Sequence, residues 1–413
     1  MRDLLAKIYE SWGAKSPINR IFENAYFGRP FGKSGRKILM LYCPSNPVAF
    51  SQIYPFFFYE SDIEARYDIS IRALPLDRCY SDLVREADLI CVQTEFFIED
   101  YQVDALFTDL KKHNPNARFA YFDWFAPLDL RLAEILNPHI DLYVKRQVFR
   151  DLKAYDRPTL GDTNLTDYYS RAFKIKDNVR YFPVPNDFFS KIILGPGLLT
   201  GPHLLNKFAS GKDLSEPKNI DLHARFAKSG TPWYSAMRTD AYLACQKLTI
   251  GPKLSSFAVV CGGGVSRRQY LSELAKSKIC FSPFGYGEVC WRDYEAALYG
   301  ALLLKPDMSH VRTDPEIFVK DETYVSLSWD LSDLAEKVEF YLNHAHERNR
   351  IVDNAYSVMR AYFANKGFLQ QMSPIFDLAH GRLVNNALEY PYPVLPSKKK
   401  AGAMGKLSYG EGF

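Results

Sequence analysis

Three ionisable side chains, Glu288, Arg292 and Glu295, fall close together in the stretch FSPFGYGEVCWRDYEAALYGALLLKPDM, residues 281–308. Steps of four and three residues put them on one face of a helix. Such a face can hold an anion and a pair of hydroxyls together. Arg292, near the helix start, offers a diphosphate charge-assisted hydrogen bonds. Glu295, further in, accepts from both hydroxyls of a ribose. Glu288, in the expected first turn, either orients Arg292 or touches a sugar beyond the phosphates. Gly285 and Gly287 stand just ahead and let backbone approach a ligand closely. Gly300 reads as a left-handed C-cap. A salt-bridged helix face with no ligand is the competing reading.

The elements around this helix set where it points. KICFSPF ahead of it and ALLLKP behind it are apolar, strand-like runs. A loop leaving the carboxyl end of a parallel strand into a helix N-terminus is where phosphates bind. Further cations occupy junctions of the same kind. Arg225 ends the run NIDLHARF and Lys228 follows it. Trp233 and Arg238 lie in the next loop and helix start. Arg267 and Arg268 follow Gly262, Gly263 and Gly264. Each cation is a candidate for the diphosphate, set against the plainer reading of a solvated surface side chain. GGGVSRR is neither GxGxxG nor a Walker sequence, which argues against a dinucleotide site or P-loop.

In the first half, FAYFDWFAPLDLR places Asp123 at a strand end. Asp123 is the candidate for contact with an acceptor hydroxyl, and for its general base if the reaction inverts. A retaining reaction needs no such base, and an acid bonded to a neighbouring loop is the alternative. Asp129 reads as a helix N-cap. His310, after the ALLLKP strand, is either near a nucleotide or a surface histidine.

Strand and helix alternate along most of the chain. KILMLYC, YDISIRAL, ADLICVQT, RFAYFDW and IDLYVKR read as strands, with helices at 99–112 and 128–136 between the later ones. Prolines and glycines crowd residues 183–217, and alternation then resumes. The reading divides the chain into an N-terminal helix and loop (1–35), a first Rossmann-like domain (36–190) and a linker (191–217). A second Rossmann-like domain (218–346), returning C-terminal helices (347–390) and a tail (391–413) read as mobile follow.

Composition narrows the function classes. The chain has 413 residues, 47% hydrophobic and 24% charged, which suits two domains with real cores. A formal net charge of +4, with no basic stripe, argues against nucleic acid. The aromatic share of 15% suits either interdomain packing or a carbohydrate site. Seven cysteines include no CxxC pair, which fits a reducing cytoplasm and no zinc site. Leu4, Leu5, Ile8 and Trp12 recur at helical spacing beside Arg2 and Lys7. That stripe over residues 1–15 either packs on its own domain or touches a membrane peripherally.

PFGYGEVCWRDYEAALYGALLLKP resembles the nucleotide-sugar-binding segment of GT-B glycosyltransferases. It is closest to the bacterial family 1 type of surface-polysaccharide assembly, and distantly resembles exostosin-type transferases. SRRQYLSELAKSKICFSPFG fits the βα unit that precedes this segment in the family, and the resemblance spans residues 220–365. It implies an α/β GT-B fold, two doubly wound domains facing a cleft with a C-terminal helix crossing back. It also implies transfer of a sugar from a nucleotide diphosphate sugar to a hydroxyl of a glycan or glycolipid. Glu295 takes the place of the second glutamate of the E-x7-E signature. Eight residues earlier stands Gly287, and Glu288 gives E-x6-E, a departure from the pattern. No D-x-D occurs, and the resemblance implies no cofactor and no metal, with arginines and a helix dipole in the cation's role. A GT-B-fold epimerase, a phosphorylase, or a non-catalytic scaffold keeping a degraded donor site are the alternatives.

Overall fold

The computed structural model describes residues 27–33, 35–44, 46–79, 84–210, 216–249, 258–382 and 388. The expected helix at 1–15 and the tail from 391 lie outside the described residues.

The first half is built on a parallel sheet. Its strands are β1 (Arg36–Tyr42), β2 (Ile69–Pro75), β3 (Leu89–Val92), β4 (Arg118–Asp123), β5 (Leu142–Lys145) and β6 (Ile192–Leu194), in the order β2-β1-β3-β4-β5-β6. The runs LICV and LYVK are buried at every residue, as strands covered on both faces must be. Register follows, with Ile38 opposite Leu89 and Ala120 opposite Leu142. Two helices that periodicity leaves unassigned, α1 (Pro47–Phe58) and α2 (Glu60–Tyr67), cross from β1 to β2. Asn46 caps α1 by accepting from Val48 N at 2.9 Å. α3 (Asp100–His113) matches its expectation, whereas the expected helix at 128–136 shrinks to α4 (Ala133–Leu136). Asp129 does not cap it; its carboxylate takes Arg131 Nε and NH2, both at 2.7 Å.

The expected linker at 191–217 is in large part folded into this half. β6 pairs in parallel with β5, so the first domain runs past residue 190. Gly195 packs so tightly that a Cβ there would lie 2.1 Å from Val144 Cγ1. Glycine in this stretch serves close packing. α5 (Asn164–Ala172) lies within the first half, and α6 (Pro202–Ser210) packs against a helix of the C-terminal region.

The second half repeats the plan. Strands β7 (Ile220–Arg225), β8 (Val259–Gly262), β9 (Ser277–Phe281), β10 (Leu302–Pro306) and β11 (Val325–Leu327) form a parallel sheet in the order β8-β7-β9-β10-β11. Helices α7 (Pro232–Lys247), α8 (Arg267–Ala275) and α9 (Trp291–Leu298) connect its strands, and α10 (Leu334–Asn343) follows β11. Both sheets thus begin 2-1-3, which puts a topological switch point between the first and third strand of each.

After α10, α11 (Ala345–Ala364) runs back, α12 (Gly367–Gln371) packs on α1, and α13 (Ser373–Ala379) docks on the first sheet. Phe368 stacks on Tyr59 at 5.5 Å and meets Phe56 edge-on at 4.9 Å. Gln371 Nε2 donates to the Gly195 carbonyl at 3.2 Å. Two doubly wound halves with a C-terminal return to the first make this the GT-B arrangement. The halves are also stitched directly, since Val311–Arg312 pairs antiparallel with Val148–Phe149. Tyr169 of α5 lies parallel to Trp233 and to Trp329 of the second half, so part of the aromatic content is interdomain packing.

Candidate functional site

A cleft of about 860 Å³ opens between the halves, lined from both. From the first half come Pro47 and Val48 at the start of α1, Ala126 and Arg146. From the second come Arg225, Arg267, Tyr270, Arg292 and Glu295, with Gly285 to Gly287. The loops after β1, β7 and β9 all contribute, so the cleft sits where the switch points of the two sheets meet.

α9 is set by its own sequence. The Asp293 side chain accepts from Cys290 N at 2.8 Å and so fixes the helix start at Trp291. Asp293 is fully buried against Lys305, 3.0 Å away. At the other end Gly300 has φ +69°, the left-handed stop expected of it. Arg292 therefore lies in the first turn and Glu295 one turn on. Glu288 does not belong to the helix, because the Asp293 cap starts it three residues later. Its side chain is fully buried and faces the first half. It accepts from Asn164 Nδ2 at 2.9 Å, with Gln147 Nε2 at 3.5 Å and His310 Nε2 at 3.6 Å. It does not line the cleft, and nor does His310, whose side chain is partly exposed at 24%.

Glu295 is 3% exposed, yet three donors converge on it. Tyr270 OH donates to Oε2 at 2.8 Å, Arg267 NH2 lies 3.3 Å from Oε1 and His203 Nε2 3.6 Å from it. Burial alone would raise its pKa, but His203, Arg267 and Tyr270 together outweigh this and hold it below the ordinary carboxylate value. The result is an ionised acceptor at the wall of the cleft. Arg292 is nearly buried and its Nε has no hydrogen-bond partner among the described residues.

The other predicted cations divide. Arg267 lines the cleft, with its side chain 46% exposed. Arg225 lines it too, but its fork is bound to Glu273, with Nε at 2.8 Å from Oε2 and NH2 at 2.9 Å from Oε1. Arg238 is buried and donates to the carbonyls of Phe284 and Ala227, so it holds two loops in shape and reaches no ligand space. Lys228 sits 4.0 Å over the Tyr242 ring, and neither it nor the exposed Arg268 lines the cleft.

Asp123 does not reach the cleft, contrary to the expectation of an acceptor contact. It is 1% exposed and absent from the cleft wall. Lys145 Nζ and Tyr143 OH both meet its Oδ2 at 2.5 Å, and Phe125 N donates to Oδ1 at 2.7 Å. A carboxylate so engaged is a structural ion pair and takes no proton from an acceptor.

Arg146, His203 and Tyr270 line the cleft without being singled out by the sequence. Arg146 stands directly after β5, and the pair KR closing an apolar strand at its carboxyl edge was the available signal. His203 falls in the stretch read as linker, which hid it. Tyr270 sits inside a helix read for its arginines alone. Among the described residues no three His, Cys, Asp or Glu side chains come together as a metal site. No helix among them is long and apolar enough to cross a membrane, and all seven cysteines are free thiols.

Residues 219–373 match the family model described as glycosyl transferase-like, over the same stretch that carries the resemblance in sequence. No curated protein matches the chain. Solved structures resemble it at low identity. A glycosyltransferase from Rickettsia africae is 11% identical with a TM-score of 0.48, over 84% of this chain and 98% of that one. An alpha-glucosyltransferase in complex with UDP is 10% identical with a TM-score of 0.47, over 82% and 98%. The same kind of enzyme with UDP and a mismatch-containing 13-mer DNA is 11% identical with a TM-score of 0.46, over 83% and 99%.

Proposed function

We propose that the protein is a glycosyltransferase that takes a sugar from a nucleotide diphosphate sugar and places it on a hydroxyl of a glycan or glycolipid, as in bacterial surface-polysaccharide assembly. One observation carries the reading: a buried, ionised Glu295 and a nearly buried Arg292 stand one turn apart on α9, at the wall of a cleft between two doubly wound halves. Glu295 accepts from the ribose hydroxyls. Arg292 meets the diphosphate at the α9 N-terminus, where backbone N–H groups add to the positive potential. The family match over 219–373 supports the same assignment for this half. The acceptor enters from the first half, past Val48 and Ala126. Arginines and the helix dipole neutralise the leaving diphosphate, so the reaction runs without a metal ion.

The test is calorimetric titration with UDP, GDP, ADP and CMP, followed by hydrolysis of the matching nucleotide sugars. Binding of one nucleotide with turnover of its sugar is the expected result. Binding without turnover of any sugar would favour a second reading, a scaffold that keeps the nucleotide site. The burial of Glu288 away from the cleft is what favours that alternative.

A further inference from the structure

β5 ends at Lys145, and the next residue leaves the sheet at its carboxyl edge toward the cleft. Lys145 turns inward to Asp123, and Arg146 lines the cleft. Arg146 is 5% exposed, yet its Nε and NH1 have no hydrogen-bond partner among the described residues. It forms no ion pair among the described residues. Burial lowers its pKa from the ordinary value, but a guanidinium remains charged. Leaving such a group buried and unpaired is costly, and it persists where something else answers the charge.

What faces it is the start of α9. The buried carboxylates Asp123 and Glu288 act favourably on its charge without bonding to it, though burial outweighs them, and a Cβ at Gly197 would lie 3.8 Å from Arg146 Cβ and 3.7 Å from Tyr294 OH. Arg292, in the first turn of the same helix, also lines the cleft with an unpartnered Nε. The cleft thus holds two guanidinium groups with unmade bonds, one from each half, beside the same helix N-terminus. The remaining cleft arginines are already engaged, Arg225 by Glu273 and Arg267 by Glu295.

We propose that Arg146 is a phosphate-binding residue supplied by the first half, so that a nucleoside diphosphate is gripped at the α9 N-terminus between Arg146 and Arg292. The inference rests on the donor reading above and adds to it that the donor site belongs to both halves. The diphosphate then acts as an ionic link across the cleft, answering one guanidinium from each half.

The experiment compares wild type with Arg146→Gln and Arg146→Lys, by titration with uridine, UMP and UDP and with the guanosine series in parallel. Arg146→Gln should weaken the diphosphate by about 10- to 100-fold, the range of a charge-assisted hydrogen bond. The nucleoside should change less than twofold, and Arg146→Lys should recover part of the loss. Without ligand, Arg146→Gln should melt no lower than wild type, because it removes an unpaired buried charge, while the rise in melting temperature on adding UDP or GDP should shrink. Equal weakening of nucleoside and diphosphate, unchanged diphosphate affinity, or a lower melting temperature of the ligand-free variant would each overturn the assignment. Wild-type protein that binds no nucleoside diphosphate overturns the donor reading itself; wild type that binds while Arg146→Gln binds equally well overturns only the role of Arg146.

Discussion

Gly287 lies so close to Ala126 of the opposite half that a Cβ on it would stand 1.9 Å from the Ala126 carbonyl oxygen. The neighbouring atom is backbone, and Gln147 Nε2 also donates to that carbonyl, at 3.0 Å. The glycine therefore serves the contact between halves, within a loop that also lines the cleft. Directly after it, Glu288 plunges into the first half to meet Asn164. Gly287→Ala must push the halves apart, at roughly 1–3 kcal/mol, the usual range for overpacking. The check is a lowered denaturant midpoint together with weaker nucleotide binding. A variant that keeps both would show that the loop yields without moving the domains.

Asp123 and Lys145 are both buried and mutually paired, so Asp123→Asn leaves a buried ammonium without its counter-charge. Removing one partner of such a pair costs about 3–5 kcal/mol. The loss should appear in chemical denaturation. Nucleotide affinity of the protein that remains folded should be unchanged, because the carboxylate does not reach the cleft. The double variant Asp123→Leu, Lys145→Met should recover much of the stability. A variant of full stability that loses only turnover would restore Asp123 as a base.

What the sequence made legible was periodicity and punctuation. Continuous apolar runs such as LICV and LLLKP gave the strands, and Gly300 gave the end of α9. Helix starts were harder, because they depend on a single side chain: Asp293 capping Cys290 moved the start past Glu288 and broke the shared face. Asp123 stands at a strand end, as its sequence position implies, but is buried away from the cleft. Spacing says that a residue reaches the carboxyl edge, and only packing says that Lys145 meets it there. The stretch 183–217 misled because proline and glycine mark tight packing as readily as a linker, as Gly195 against Val144 shows. Arg146 carries only the weak local mark of the KR pair that closes β5, and His203 carries none, for a related reason. They approach α9 across the interface between halves, and no local pattern encodes a partner so far away in sequence.

His223 supplies a pH dependence. It stands in the middle of β7's buried run with no exposed surface, its ring 5.1 Å from Tyr270, and neither ring nitrogen has a hydrogen-bond partner among the described residues. Burial, reinforced by the Arg292 and Arg225 charges and only partly offset by Glu273 and Glu295, lowers its pKa to about 4. The folded protein therefore binds this proton less readily than the unfolded chain. Its contribution to stability is complete above the unfolded value of about 6.5 and is lost as pH falls toward 4. Up to about 3 kcal/mol is at stake across that window. Denaturation midpoints between pH 7 and 4 should fall more steeply for wild type than for His223→Gln. Parallel slopes would remove His223 as the cause.

Chelation separates the arginine reading from metal catalysis. Arg292 and the α9 N-terminus are proposed to carry the charge of the leaving diphosphate. Turnover of the nucleotide sugar should then be the same after exhaustive treatment with EDTA. Activity that disappears, and returns with Mg²⁺ or Mn²⁺, would show that a divalent ion does this work.

Glu295 is the residue on which the donor reading turns. Its two oxygens are approached by Tyr270, Arg267 and His203, and these donors keep it ionised in a nearly buried place. Arg267 is the most exposed of the three, with 46% of its side chain in solvent, so it is the one a ribose hydroxyl can displace without reorganising the core. Tyr270 stays and fixes the carboxylate's orientation. Glu295→Ala should weaken nucleotide binding by roughly 1.5–3 kcal/mol, the worth of charge-assisted hydrogen bonds. The same variant should bind the 2′,3′-dideoxynucleotide no more weakly than wild type does, because that ligand offers no hydroxyls to lose. Calorimetry with the two ligands separates a ribose contact from a general collapse of the site. Equal losses for both would mean that Glu295 only positions Arg267 and Tyr270, and no loss for either would remove it from the donor site.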